Sequence, residues 1–174
     1  MIDVGDVAFQ LEVLVEVVIA MVLGGLIGFE RELAGKAAGL RTHMMMAGSA
    51  ALLVALGDVL VLRFTGRPGQ IVQSDPIRIV EAVVTGVSFL GAGMIFRRDG
   101  KTEVEGLTTA TGVLLTAGIG ICVALRQIVL AVGVTLVTML ILRGLVWLER
   151  RVTARAPRTP EADSTAPSSP TKSG

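Results

Sequence analysis

The chain has no tyrosine, one tryptophan, one cysteine and one histidine in 174 residues, and a formal net charge of only +1. A single cysteine, Cys122, excludes a disulfide framework and a cysteine-built metal site. No Ser/His/Asp or Cys/His set is available beyond the one histidine, His43, which sits at a helix entry and is expected at an interface rather than as a ligand. The charge balance lacks the basic stripe that a nucleic-acid binder needs. Gly91-Ala92-Gly93 is without the third glycine of a dinucleotide fingerprint and lies within an apolar run, and no complete Walker-type phosphate loop occurs. The chain is therefore not expected to be its own ATP-driven pump.

What is present is apolar residue in blocks. Hydrophobic residues make up 52% of the chain, and mean hydropathy is +0.71. They cluster over residues 7–29, 44–62, 77–96, 107–125 and 128–148, each close to the ~20 residues that cross a hydrocarbon core. This predicts an all-α, polytopic bundle of about five transmembrane helices over residues 1–150, with a disordered cytoplasmic tail over 151–174 rich in Ala, Pro, Ser and Thr. The connection at Arg126-Gln127 is short enough to make the last two helices one hairpin. The first run lacks a basic leader and a small-residue cleavage pattern, so it is expected to stay as an anchor.

Basic residues set the expected orientation. Arg31, Lys36 and Arg41 come after the first run, Arg97, Arg98 and Lys101 after the third, and Arg150, Arg151, Arg155 and Arg158 after the fifth. By the positive-inside rule these face the cytoplasm and the amino terminus lies outside, with Arg63, Arg67 and Arg78 in a loop that runs against the rule.

The first and third runs, each taken with its downstream segment, align without gaps at one constant offset. Leu23-Gly24 matches Leu90-Gly91, Gly39-Leu40 matches Gly106-Leu107, Thr42 matches Thr109 and Ala50 matches Ala117. Each unit reads as helix, basic loop, Gly-Leu-x-Thr entry and second helix, which makes two hairpins of the same orientation, as in parallel-repeat transporters. Glycines at 24, 25 and 28, at 86, 91 and 93, and at 112, 118 and 120 allow close helix approach, within one chain or between copies in a homo-oligomer.

Charges inside apolar runs are costly and worth following. Glu12 and Glu16 share one helical face, Asp58 lies near the end of the second run, and Asp75 and Glu81 flank the start of the third. All five fall in the outward half of the membrane, with Arg63 and Arg78 as their nearest cationic candidates. Two readings stay open. The carboxylates form an outward Mg²⁺ site, either for a bound ligand or for a transported ion. Alternatively, Asp75 caps its helix, Arg78 pairs with a neighbouring carboxylate and the glutamates reach the interface. At the other face Glu30 and Arg31 end the first run, while Arg41 and Thr42 open the second and Thr108 and Thr109 the fourth, where hydroxyls and a guanidinium cap free backbone groups or hold an anion.

Several of these words together resemble the MgtC/SapB family of bacterial membrane proteins. They are the segment from Gly24 to Arg31, Ala38-Gly39-Leu40-Arg41-Thr42-His43, Asp75-Pro76-Ile77-Arg78, Phe89-Leu90-Gly91-Ala92-Gly93-Met94-Ile95 and Gly106-Leu107-Thr108-Thr109-Ala110. The resemblance implies a plasma-membrane protein of about five helices with an outside amino terminus and no enzymatic activity or cofactor. It implies a role in coping with scarce magnesium, and regulation through membrane partners such as the ATP synthase; the alternative is a transporter or channel for Mg²⁺ or another ion. The chain departs from the family pattern where many members have a tryptophan, at Thr111-Gly112-Val113-Leu114. It departs again at Val123-Ala124-Leu125-Arg126, and where longer members carry a soluble domain it has only its tail.

Overall fold

The computed structural model describes residues 7–65, 76–97 and 104–153, with side chains described over 7–61, 77–95 and 105–144. Among the described residues five helices succeed one another: α1 (Val7–Leu33), α2 (Leu40–Thr65), α3 (Pro76–Gly93), α4 (Leu107–Ala124) and α5 (Ile128–Thr153). Between α3 and α4 two-residue strands, β1 (Phe96–Arg97) and β2 (Val104–Glu105), pair antiparallel with Phe96 opposite Glu105. Val7–Leu33, Leu40–Val61 and Leu107–Ala124 are each long and apolar enough to cross a membrane, and α5 contributes a shorter apolar stretch, Ile128–Gly144.

The helix ends differ from the sequence reading for local reasons. α2 begins early, at Leu40, because the Glu32 carboxylate accepts the Leu40 N–H at 2.9 Å and satisfies one of the free donors of a helix start. α3 stops at Gly93, where Met94 N–H turns back to the Gly91 carbonyl and the chain enters β1. α5 runs on to Thr153, past both the expected end of its span and the start of the segment read as tail; residues 154–174 lie outside the described residues.

α1, α2 and α4 touch one another and form the centre, with α3 resting on α4 and α2, and α5 on α1 and α4. Lipid supplies no hydrophobic drive between helices, so close packing must. Glycine permits it here. A Cβ on Gly24 would stand 2.6 Å from the His43 carbonyl oxygen, and one on Gly28 would stand 2.8 Å from the Gly39 carbonyl oxygen. Across the α2–α4 seam a Cβ on Gly120 would run into the Ala47 carbonyl. Fully buried Ala20, Ile27, Ala47, Val113 and Val123 fill the space around these contacts. The glycine stripe of α1 is thus used within the chain, whereas Gly86, Gly93 and Gly118 meet nothing within 4 Å.

The internal repeat reappears as contacts. α2 and α4 begin at matched positions, Leu40 and Leu107. Gly24 lies against His43, and its counterpart Gly91 lies against Ala110, the residue matched to His43. Gly28 lies against Gly39; matched Ile95 lies against Gly106. The second hairpin is looser, with 3.6 Å between a Cβ on Gly91 and that of Ala110, and its connection is a short strand pair rather than a helical extension.

These seams make a stability prediction. Gly120→Ala must push α2 and α4 apart and is expected to destabilise by about 1–3 kcal/mol, the usual range for overpacking. Gly118→Ala, close by on the same helix but facing open space, should be neutral or slightly stabilising. Thermal unfolding of the two variants in detergent checks the contrast; equal midpoints would contradict the tight seam.

Candidate functional site

Two polar centres lie at opposite ends of α1. The first is at the end next to the α1–α2 loop. Glu30 and Arg31 are both buried, with side chains 8% and 4% exposed, and they form a two-pronged ion pair. Arg31 Nε donates to Glu30 Oε2 at 2.7 Å and Nη2 donates to Oε1 at 3.1 Å. Neighbouring residues on a helix do not ordinarily face each other, so the pair holds both side chains bent to one side of α1. Taking two charges out of water or lipid headgroups is costly, and removing either partner alone would strand the other.

His43 lies beside this pair, in the first turn of α2, and its side chain is fully buried in the bundle. The cause is the glycine seam, since His43 Cβ packs where Gly28 has no side chain. Nδ1 donates to the Gly39 carbonyl at 3.0 Å, because that oxygen can only accept. Nε2 then has no partner within the described residues and points towards α4, about where Gly112 leaves room. Thr109, on the same helix, is buried, while Arg41, Thr42 and Thr108 are exposed. The hydroxyl caps expected at the α4 entry are not made: α4 opens on Gly106 with φ 94° and no side-chain cap, and α2 is capped instead by Glu32.

The second centre is at the start of α1. α4 closes in a Schellman arrangement, with Gln127 N–H on the Cys122 carbonyl and Arg126 N–H on the Val123 carbonyl. The left-handed position falls on Arg126, with φ 59°, where glycine is usual; the equivalent turn after α1 does use glycine, Gly35. An L-residue there costs about 1–2 kcal/mol. The turn aims the guanidinium at α1, where it meets Glu12 Oε1 at 2.7 Å and Glu16 Oε1 at 3.2 Å. Glu16 is the more sheltered partner, 14% exposed against 49% for Glu12. Asp58 stands within electrostatic range of Glu16 and lines a small cavity of about 190 Å³ that Leu125 also borders.

The cation that answers the α1 glutamates is therefore Arg126, in place of the expected Arg63 or Arg78. Arg78 and Glu81 are exposed and form no ion pair among the described residues, and Arg63 and Asp75 lie outside the described side chains. Among the described residues no three of His, Cys, Asp and Glu gather in a metal-holding group. The structure brings Glu12, Glu16 and Asp58 to one end and Glu30, Arg31 and His43 to the other; Glu81 is exposed on α3. Sequence reasoning missed Arg126 and Glu32. The one available signal for Arg126 was an arginine in a very short helix–helix joint where glycine is the usual choice.

The clasp yields a comparison of two variants. Arg126→Gln and Arg126→Gly both lose the glutamate contacts, but only glycine also removes the left-handed backbone cost. Arg126→Gly is expected to unfold later than Arg126→Gln, by an amount corresponding to about 1 kcal/mol. Identical unfolding would mean that the turn carries no strain.

With this geometry in place, comparison with known proteins places the chain. The model of the MgtC family matches residues 17–151. "Putative magnesium transporter YhiD" of Escherichia coli (strain K12) is 37% identical over 136 residues, 75% of this chain and 59% of that protein. Protein SrpB of Synechococcus elongatus is 33% identical over 138 residues, 76% of this chain and 74% of that protein. Protein MgtC of Brucella abortus is 38% identical over 102 residues, 59% of this chain and 38% of that protein. The matched part thus spans about three fifths of YhiD and well under half of the Brucella protein. No solved structure matches the chain significantly. A match over most of the described bundle, with relatives above 30% identity, makes this chain a member of the MgtC family of membrane proteins.

Proposed function

We propose that the protein is a non-enzymatic regulator in adaptation to low magnesium, acting through contacts with other membrane proteins in the bacterial inner membrane. In this reading the amino terminus is outside and the α1–α2 loop cytoplasmic. The observation that carries it is that the bundle pairs most of its polar groups with one another, His43 Nε2 being the buried atom left without a partner among the described residues. Arg126 is taken by Glu12 and Glu16, and Arg31 by Glu30. The buried hydroxyls of Thr116, Thr135 and Thr138 each donate to a carbonyl one turn earlier on their own helix. Groups so committed suit a packed scaffold better than an ion path. The outer surface, by contrast, is broad and apolar: Phe89 is 80% exposed, Val129 89% and Leu140 73%. Such faces meet lipid or the helices of a partner.

The family resemblance makes the ATP synthase the first partner to test. Inverted vesicles from bacteria with and without the chain are compared for ATP-driven acidification. The regulator reading expects a lower rate when the chain is present, with ATP synthase content unchanged. An equal rate in vesicles shown to contain the chain would contradict this partner. The ion-carrier reading keeps one specific observation in its favour, the sharing of Arg126 by Glu12 and Glu16 with Asp58 within electrostatic range of Glu16.

A further inference from the structure

α2 and α3 diverge along their length. They touch where the Ile79 side chain fills the place of a side chain on Gly57, and from there they open towards the ends nearest the loops. The opening is a groove of about 520 Å³ that runs from Leu53 and Ile79 at its closed end to Thr42 and Leu90 at its mouth. Its walls are apolar apart from Thr42 and Ser49. Gly86 lines it, and a Cβ there would meet nothing within 4 Å, so the groove is deep because that side chain is missing.

We propose that this groove is a phospholipid site, holding one acyl chain with an anionic headgroup at Arg41. Three observations select this occupant. First, Thr42 to Leu53 is a helical rise of about 16 Å, close to half of the ~30 Å hydrocarbon core, so the groove has the depth of one leaflet. Second, the Ile79–Gly57 contact blocks the far end. A membrane-crossing helix of a partner needs a groove that continues; an acyl chain ends inside the leaflet. Third, the mouth is cationic. Arg41 directly precedes Thr42, is exposed and has no carboxylate partner among the described residues, and Lys36 is exposed in the adjoining loop. The nearest acid on α1, Glu32, is engaged by the Leu40 N–H. Basic residues at headgroup depth attract anionic lipid. An empty apolar groove in lipid forfeits the dispersion contacts of its lining, which a seated chain restores.

The test is native mass spectrometry of the full chain in detergent, titrated with phosphatidylglycerol and with phosphatidylcholine of the same chains. One phosphatidylglycerol is expected to stay bound per chain, at least several-fold more tightly than phosphatidylcholine. Gly86→Leu puts a side chain into the groove at a position where a Cβ meets nothing within 4 Å and should reduce retention of both lipids about tenfold; Ala82→Leu, on the same wall, is the second variant should the first not fold. Arg41→Gln should keep lipid bound but lose the preference for the anionic headgroup. No retained lipid, or retention unchanged in the groove-filling variants, overturns the proposal. So does a lipid-free dimer that the groove-filling variants split, which would make the groove a contact between copies of the chain.

Discussion

The distance of closest approach between α1, α2 and α4 sets most of what this protein can be. Within a bilayer, helices gain little from hiding apolar surface, because lipid is as apolar as they are. Stability comes from backbone meeting backbone, and Gly24, Gly28 and Gly120 are the places where a single added carbon would hold two helices apart. Once the helices are that close, the His43 side chain is shut inside the bundle, and the Glu30–Arg31 pair is enclosed at the end of α1. The polar centre at the loop end is thus a consequence of the seam.

At the opposite end the same economy holds by a different device. Arg126 accepts an unfavourable backbone conformation, and in return its side chain closes the start of α1 onto the α4–α5 hairpin. Glu12 and Glu16 then have a cation supplied by the chain itself. A Mg²⁺ ion at this place would have to displace a guanidinium already 2.7 Å from one carboxylate oxygen. The two hairpins share their glycine contacts and their helix entries, yet they differ in tightness. The first makes the seam, and the second leaves α3 splayed from α2.

How much of this was legible in the sequence depends on the range of each interaction. The helices could be read because apolar blocks of bilayer length, nearly free of charge, are what a hydrocarbon core selects. The repeat could be read because matched glycines recur in order. Helix ends were less legible: Glu32 caps α2 from the previous helix, and no local word signals that. The burial of His43 depends on glycines distant in sequence, and the partner of Glu12 lies in the α4–α5 turn, far along the chain. Pairing by composition pointed to Arg63 and Arg78 because they were the cations nearest the carboxylates in the linear topology. Asp75 and residues 154–174 lie outside the described residues, so the place of the acidic residue ahead of α3 stays as the sequence presents it.

Family membership leaves two activities in contention, and they make opposite predictions for ion flux. A bundle whose Glu30–Arg31 pair is buried and self-paired, and whose tightest contacts at Gly24, Gly28 and Gly120 have no room for a methyl group, should not pass ions. The most direct measurement is Mg²⁺ entry into liposomes carrying the purified, folded chain, followed with an enclosed indicator. The account predicts entry no faster than in protein-free liposomes. Saturable entry that rises with the amount of protein would contradict it and make the carboxylates around Arg126 part of a transport path.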